Sequence, residues 1–213
     1  MASKVTVPRG RHAPPLEVRM DVQRGRLFGA AATVFASMGF AEASAEAISR
    51  EAGMSKATFY EHFPNKEECL LALFDESVAE IQRAIGESIA AAGDDPGDRL
   101  LAGVRAFFDQ VANHPNHAQT FLVEIIGAGP KAAERRDQVL AAFAKVIDEQ
   151  NAIGAKEGWM PRFASPADAF AIVGAVAELA SRQVRLGEPK DIRELEPVVH
   201  RLIRGILAQA ETA

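Results

Sequence analysis

The stretch from Ser55 to Lys66 carries side chains that can hydrogen-bond to nucleic acid. Lys56, Thr58 and Tyr60 fall within one short helical pattern, and such donors on an exposed helix face can contact base edges or phosphates in a major groove. Elsewhere the sequence has no Gly-rich phosphate loop, no cluster of metal ligands and no recognisable nucleophile arrangement. We therefore expect a protein that is not an enzyme and that holds neither metal nor cofactor.

Two short helices must position these side chains. The first is predicted from Ala45 to Glu51, with Ser44 as its N-cap, and the second follows Ser55, a further N-cap candidate. The second should stop at the Phe63-Pro64 pair, since the residue before a proline avoids the helical region. Between them, the glycine of Ala52-Gly53-Met54 can adopt the positive φ of a sharp turn. The pattern from about residue 44 to 63 predicts a helix-turn-helix.

Helices on either side should support the motif. An apolar stripe predicts a helix from Asp21 to Met38 that Gly39 closes, with Arg24 and Arg26 near its start and within reach of backbone phosphates. Lys66 opens the helix after the motif, where a cation opposes the positive end of the helix dipole. This placement indicates an external anion, such as a DNA phosphate.

These residues together resemble the DNA-binding domain of the TetR family of bacterial one-component repressors. The resemblance covers roughly residues 20 to 75. Ala43 and Ser49 depart from the family pattern, because a hydroxyl residue is common at the first position and alanine at the second. The matching residues are Arg24, Leu27-Phe28, Ala30-Ala31, Phe35, Gly39-Phe40, Ser44, Ile48, Ala52-Gly53-Met54-Ser55, Thr58, Tyr60, His62-Phe63 and Lys66-Glu67.

The resemblance implies specific roles. Tyr60 and Lys66 would contact phosphates, and Lys56, Ala57 and Thr58 would face the bases. The other DNA-binding residues would be Ser44, Ser55, His62 and Arg24. Phe59 and Phe63 are predicted as core. The helix that begins at Lys66 would transmit movement between the effector domain and the DNA-binding head.

Composition is compatible with this reading. The 213 residues are 48% hydrophobic, contain one cysteine and show no apolar run of membrane-spanning length, so we expect a soluble cytoplasmic protein. Residues 1–68 hold nine Lys or Arg against eight Asp or Glu, a net charge of +1, while the whole chain has −5. Residues 1–19 are predicted to be a disordered basic arm, which either contacts DNA or is a solvated tail.

The remaining segments predict an all-α fold of about nine helices, with a DNA-binding domain at residues 20–80 and an effector and dimerisation domain at 81–213. No stretch alternates as a half-buried strand does. The stretch from Gly154 to Ser165 is predicted as a loop. Helices are predicted at Lys66 to about residue 92, Asp98 to Ala112, Pro115 to Ile126, Lys131 to Ile153, Pro166 to Leu186 and Ile192 to Gln209.

Large apolar side chains in the C-terminal part indicate either ordinary core packing or a pocket for an apolar ligand. Glu124, inside an apolar run, could be a polar contact in that pocket, or a surface or paired glutamate. His114 and His117 are three residues apart, but Pro115 lies between them and no third ligand is near, which favours a helix start over a metal site. The candidate pocket residues are Phe107, Phe108, Phe121, Glu124, Phe143 and Trp159.

The last two helices have more apolar surface than a terminal pair needs, which favours a four-helix interface between two subunits over burial within one subunit. Two heads in such a homodimer would read a pseudo-palindromic site on double-stranded DNA. The candidate interface residues are Val173, Gly174, Ala177, Ser181, Leu202 and Ile206.

The sequence thus predicts a homodimeric transcriptional regulator, with repression as the family's usual outcome and activation left open. A small apolar effector would release it from its operator, and no membrane partner is expected. Two alternatives stay open: a helical ligand carrier or enzyme with a vestigial head, and a regulator whose effector is a protein.

Overall fold

A computed structural model describes residues 15–93 and 95–210, and this part of the chain is built from helices without a strand. Nine helices follow one another, and α6 combines three consecutive helical segments. Their bounds are α1 Leu16–Glu42, α2 Ala45–Glu51, α3 Lys56–His62, α4 Lys66–Ala91, α5 Pro96–Asn113, α6 Pro115–Gln119 with Thr120–Glu124 and Ile125–Gly127, α7 Pro130–Lys156, α8 Pro166–Leu186 and α9 Glu196–Ala210.

The predicted all-α class is confirmed, and α2, α3 and α8 have the predicted bounds. Several other boundaries differ, and three of these differences concern the predicted arm, loop and last helix. Residues 16–19 belong to α1 and not to the arm, because the helix starts directly after Pro15; residues 1–14 of the predicted arm lie outside the described residues. α7 continues to Lys156, which shortens the predicted loop. The last predicted helix begins as a separate 3₁₀ turn, Ile192–Leu195, before α9.

The head consists of α1, α2 and α3 packed around aromatic side chains. The ring of Phe63 lies 5.6 Å from those of both Phe28 and Phe59, centroid to centroid. Phe35 and Ile48 are fully buried in the same core. At Gly39, α1 leaves helical geometry with a φ of 76°, a conformation that favours glycine. The predicted end of the first helix at this glycine is therefore confirmed.

The C-terminal part packs the remaining helices beside α4. α5 follows α4 after a connection of four residues and packs against it, and the Ser88 hydroxyl donates to the carbonyl of Ala102. α7 is joined to α4 by ion pairs between Lys131 and Glu68 and between Arg135 and Asp75. Both pairs are largely exposed, so packing contributes more to this arrangement than charge does.

The middle of α6, Thr120–Glu124, is a π-helical turn. The buried Thr120 hydroxyl donates to the carbonyl of Asn116 at 3.1 Å. Phe121 and Leu122 are buried on one side of the turn, and Glu124 extends from its end towards the head. Such turns are rare in proteins overall, and those that occur are often found at functional sites. This one lies between the two parts of the molecule.

None of the helices within the described ranges combines the length and the apolar character needed to cross a membrane.

Candidate nucleic-acid interface and effector cavity

The helix-turn-helix is held by two serine caps. The Ser44 hydroxyl accepts the backbone N–H of Ala47 at 3.1 Å, and the Ser55 hydroxyl accepts that of Thr58 at 3.1 Å. Both caps satisfy N–H groups that a helix start leaves unpaired. Gly53 has a φ of 64°, as predicted for the turn. The short α2 and α3 are therefore fixed at their starts by local hydrogen bonds.

α3 presents a polar outer face. Lys56, Ala57 and Tyr60 are exposed, and Thr58 is partly exposed with its hydroxyl 2.9 Å from that of Ser55. Phe59, on the opposite side, is fully buried, as predicted. The structure thus brings an ammonium, a methyl group and a phenol together on one helix surface, which suits contact with a groove of DNA.

Arg24 and His62 lie beside this face. The Arg24 guanidinium is stacked over the rings of Phe28 and Phe63, at 5.0 and 5.4 Å from their centroids, and remains exposed. His62 Nε2 lies 3.3 Å from the Gln23 side-chain oxygen. Burial lowers the pKa of His62, and the Arg24 charge lowers it further. A neutral imidazole is therefore favoured next to an available cation.

Lys66 is the first correction to the predicted interface. Its ammonium donates to the carbonyls of Phe40, Ala41 and Ala43 at 2.8, 2.8 and 3.0 Å. These three bonds use all three donors of the group. The expectation of an external anion at Lys66 is wrong, because the internal carbonyls at the end of α1 supply the partner.

Arg26 also has an internal partner. Its guanidinium donates to the carbonyl of Ala52 at 2.7 Å, where α2 ends. A cation at this end of a helix interacts favourably with the unpaired carbonyls and the dipole. Arg26 therefore connects α1 to the turn of the motif, and its contact with a phosphate stays a prediction. Ser49, a departure from the family pattern, is buried and donates to the carbonyl of Ala45.

A cavity of about 430 Å³ lies among α4 to α9 and is within the range of ligand pockets. Phe107, Phe121, Phe143 and Trp159 line it, as predicted. Phe108 does not line it, because its side chain is fully buried in the core. Most of the wall is aliphatic and lies outside the predicted set of pocket residues: Ile85, Ile89, Val104, Val139, Leu140, Ile147, Ile172 and Val176.

The cavity opens to solvent beside Trp159. Three of its lining side chains are more than half exposed, namely Val146, Ile153 and Trp159, at 55, 52 and 58%. Exposed apolar side chains that also line a cavity mark its mouth. The single tryptophan of the chain therefore lies where a ligand would enter.

A buried asparagine holds the segment that carries Trp159. The Asn151 amide donates to the carbonyl of Pro161 at 2.9 Å, and its oxygen accepts the Phe163 N–H and the Arg162 guanidinium, both at 2.8 Å. Arg162 also forms two hydrogen bonds with Asp148. These contacts fasten the segment from residue 157 to 165 against α7 and keep it in the cavity wall.

Glu124 is a further correction, because it does not line the cavity. One carboxylate oxygen accepts the backbone N–H of Phe40 at 2.7 Å, and the other accepts the Gln119 amide at 2.9 Å. Phe121 and Leu122, on the same π turn, do line the cavity. The turn therefore contacts the cavity on one side and the head on the other.

The predicted dimer residues fall on two sides of their helices. Val173 and Ala177 line the cavity, and the buried Ser181 hydroxyl donates to the carbonyl of Leu122 at 3.2 Å. α8 uses this side for its own core, so these three residues are left out of the proposed subunit interface, which stays a prediction. Gly174 faces open space, and Leu202 is half-buried. Ile206 is also partly buried but packs against the core.

His114 and His117 do not form a metal site in the described ranges, where no group of three or more candidate ligands occurs. Their ring centroids are 6.2 Å apart, and His117 Nδ1 lies 3.3 Å from the Ser77 hydroxyl. Burial, as the largest cause, lowers the pKa of His117.

Comparison with known proteins supports the assignment of the head. Residues 27–73 match the family model described as bacterial regulatory proteins, tetR family. Over 164 residues the chain is 27% identical to the HTH-type transcriptional regulator EthR of Mycolicibacterium smegmatis, covering 75% of this chain and 74% of that protein.

Solved structures extend the likeness to the whole fold. The fatty acid degradation regulator FadR from Bacillus halodurans superposes with a TM-score of 0.77 at 25% identity, covering 85% of this chain and 94% of that one. FadR from Bacillus subtilis, solved in complex with stearoyl-CoA, gives a TM-score of 0.75 at 22% identity, covering 84 and 96% of the two chains. The head therefore matches the tetR family of bacterial regulatory proteins, and the chain as a whole is similar to regulators of transcription in sequence and fold.

Proposed function

We propose that the protein is a homodimeric repressor that leaves a pseudo-palindromic operator when a small apolar effector fills the cavity. The observation that carries this proposal is the position of the π turn in α6. Its apolar side chains Phe121 and Leu122 line the cavity, and Glu124 two residues later hydrogen-bonds to the head. A ligand can change the head only if it binds two arrangements of this connection with different affinities.

The DNA contacts in this proposal lie on and around α3. Lys56, Ala57 and Thr58 face the bases, and Tyr60 contacts a phosphate; their exposure supports this assignment. Ser44, Ser55, His62 and Arg24 are placed at the edge of the same surface. Lys66 is omitted, because its donors are engaged within the protein.

The domain boundary in this proposal falls within α4. Residues 20–80 form the DNA-binding domain and 81–213 the effector and dimerisation domain. α4 packs against α1 through its start and lines the cavity through Phe74, Ile85 and Ile89. One continuous helix thus belongs to both parts, which supports its role in transmitting the response.

A second copy of the chain is the proposed occupant of the outer faces of α8 and α9. Phe170 is 47% exposed and is followed four residues later by Gly174, whose position would leave open space even with a side chain. On α9, Val198 and Gly205 are exposed at helical spacing. Small and apolar residues on two adjacent helices suit close packing with a symmetric copy.

The effector class is supported by a structural neighbour. The Bacillus subtilis FadR structure contains stearoyl-CoA, so a protein of this fold can hold a long apolar chain. The apolar wall of the cavity supports the same class of ligand here.

The test is selection of bound sequences from a random double-stranded DNA pool by the purified full chain. We expect an enriched motif with dyad symmetry, whose half-sites have centres about one helical turn, or a multiple of it, apart. Thr58→Ala should change the preferred bases, whereas Tyr60→Phe should weaken binding to all sequences equally. An enriched motif without dyad symmetry would contradict the dimeric reading, and no enrichment from a folded dimer would contradict sequence-specific binding.

A further inference from the structure

We propose that the effector is an amphiphile with a long apolar chain and an acidic head group, and that an arginine of the cavity wall, Arg99 or Arg136, holds the head. This inference rests on the proposed function, since it takes the cavity to be the effector site. It adds the charge of the ligand and names the residues that select it.

The shape of the cavity suits a chain. Its α4 wall extends from Phe74 to Ile89, a distance of about 22 Å along the axis at 1.5 Å per residue. The α7 wall extends from Arg136 to Gly154 and is likewise more than four turns long. A narrow space of about 430 Å³ beside walls of this length accommodates an extended ligand better than a compact one.

The charge of the wall has one sign. Arg99 and Arg136 both line the cavity, and none of the described residues in the lining is acidic. Gln150 and Asn151 are the uncharged polar residues of the lining, and the Asn151 amide is already engaged with the 157–165 segment.

Both arginines lack an internal partner within residues 15–93 and 95–210. Each is partly buried, and neither forms a hydrogen bond or an ion pair with another described residue. Their neighbours behave differently: Arg135 pairs with Asp75, and Arg162 pairs with Asp148. The two arginines whose side chains reach the cavity are thus available to an anion from outside the protein.

Filling the cavity makes this arrangement selective. A ligand that expels water from an apolar cavity also removes water from guanidinium groups in its wall, which is unfavourable unless the ligand brings an opposite charge. A carboxylate or a phosphate supplies that charge, and its planar or tetrahedral oxygens accept the forked donors of arginine. A neutral chain of equal length gains only the apolar contacts.

Two sources of the acidic head share this chemistry, the carboxylate of a free fatty acid and the phosphates of an acyl-coenzyme A. The probes are therefore tetradecanoic acid, methyl tetradecanoate and tetradecanoyl-coenzyme A, each kept below its micellar concentration. Binding to the full-length dimer is followed by the fluorescence of Trp159, the only tryptophan, and by titration calorimetry.

We expect the acid, the acyl-coenzyme A or both to bind at least about tenfold more tightly than the methyl ester, as charge-assisted hydrogen bonds predict. Of Arg136→Met and Arg99→Met, the variant that removes the arginine at the head should weaken the charged ligands by about tenfold and leave the ester unchanged. Arg135→Met is the matched control, because its guanidinium pairs with Asp75 outside the cavity. Circular dichroism confirms that each variant folds.

The outcomes separate the two proposals. Tight binding of the acid or the acyl-coenzyme A identifies which anion is the head, and loss of that binding in one of the arginine variants supports the inference. Equal affinity for ester and acid, unaffected by either arginine variant, overturns the acidic head but keeps an apolar effector. If no probe binds a folded dimer that still binds its operator, the acidic-chain effector is wrong while the DNA-binding function stands.

Discussion

The ammonium of Lys66 lies among three carbonyl oxygens at the end of α1, and this environment determines what its replacement would do. We expect Lys66→Ala to lower the free energy of unfolding by about 2 kcal/mol, since hydrogen bonds to a charged group contribute about 1.5–3 kcal/mol and the side chain is only partly buried. Urea denaturation measures this change.

Lys56→Ala is the control for that prediction. Lys56 is exposed on α3, so its loss should weaken binding to DNA and leave the urea midpoint within experimental error. A Lys66→Ala protein of unchanged stability that binds DNA with a smaller salt dependence would return Lys66 to the set of phosphate contacts.

The lowered pKa of His117 makes the stability of the protein depend on pH. Burial lowers the pKa of His117 below its ordinary value of 6.5; Glu80 and Glu76 oppose this effect, and His114 adds to it. The unfolded chain therefore binds the proton more readily than the folded one. The stabilising contribution is complete above about pH 6.5 and declines as the pH falls towards the folded-state pKa.

The measurement is urea unfolding at about pH 7.5 and pH 5.5 for the natural protein and for His117→Asn. We expect the variant to lose less stability on acidification, because it lacks the titrating ring. Part of the loss should persist, since burial also lowers the pKa of His62. Equal losses in both proteins would show that His117 does not carry the dependence.

At the scale of elements, local signals were sufficient for the helices but not for their connections. Ser44 and Ser55 cap N–H groups three residues ahead, so the sequence alone predicts the starts of α2 and α3. Glu124 bonds to Phe40, which is 84 positions away in the sequence. Residue spacing in the sequence does not predict so distant a partner. For the same reason it does not predict that Lys66 bonds to carbonyls at the end of α1.

The cavity shows a related limit. The aromatic residues predict a pocket, yet its wall is mainly aliphatic, and aliphatic residues have the same helical spacing in a cavity wall as in a packed core. Phe107 and Phe108 are an example. They are adjacent in the sequence, but Phe107 lines the cavity and the side chain of Phe108 is fully buried in the core.

The π turn of α6 connects the cavity to the head, because Phe121 and Leu122 line the cavity and Glu124 bonds to Phe40. Glu124→Ala removes the acceptor for the Phe40 N–H but leaves the cavity wall intact. We expect ligand affinity, followed by Trp159 fluorescence, to change little in the absence of DNA. The ligand's effect on operator affinity should fall by roughly 0.5–2 kcal/mol, the range for residues that couple two sites.

Glu124→Gln is the matched variant, since its side-chain carbonyl can still accept the Phe40 N–H. It should retain most of the ligand response, and the exposed Glu134→Ala should retain all of it. If Glu124→Ala responds to ligand as the natural protein does, the connection through the π turn is not the route of transmission.

At the scale of the whole molecule, one side of α8 lines the cavity and the other side faces outward. Val173 and Ala177 form part of the cavity wall, whereas Phe170 and Gly174 face outward. A bulky charge at Gly174 would therefore disturb a partner subunit without entering the cavity. We expect Gly174→Arg to be a folded monomer by size-exclusion chromatography with light scattering, and its operator affinity to fall about 100-fold or more, because each head then binds its half-site alone.

The ligand response separates this loss from unfolding. A Gly174→Arg monomer should still bind the effector with nearly the affinity of the natural protein, since the cavity is formed within one subunit. Ala142→Arg, on the exposed side of α7, should remain a dimer with full operator affinity. A Gly174→Arg protein that stays dimeric would show that the interface does not include this side of α8. The dimer would then have a different symmetry axis, and this axis would set the spacing of the two heads and of the operator half-sites.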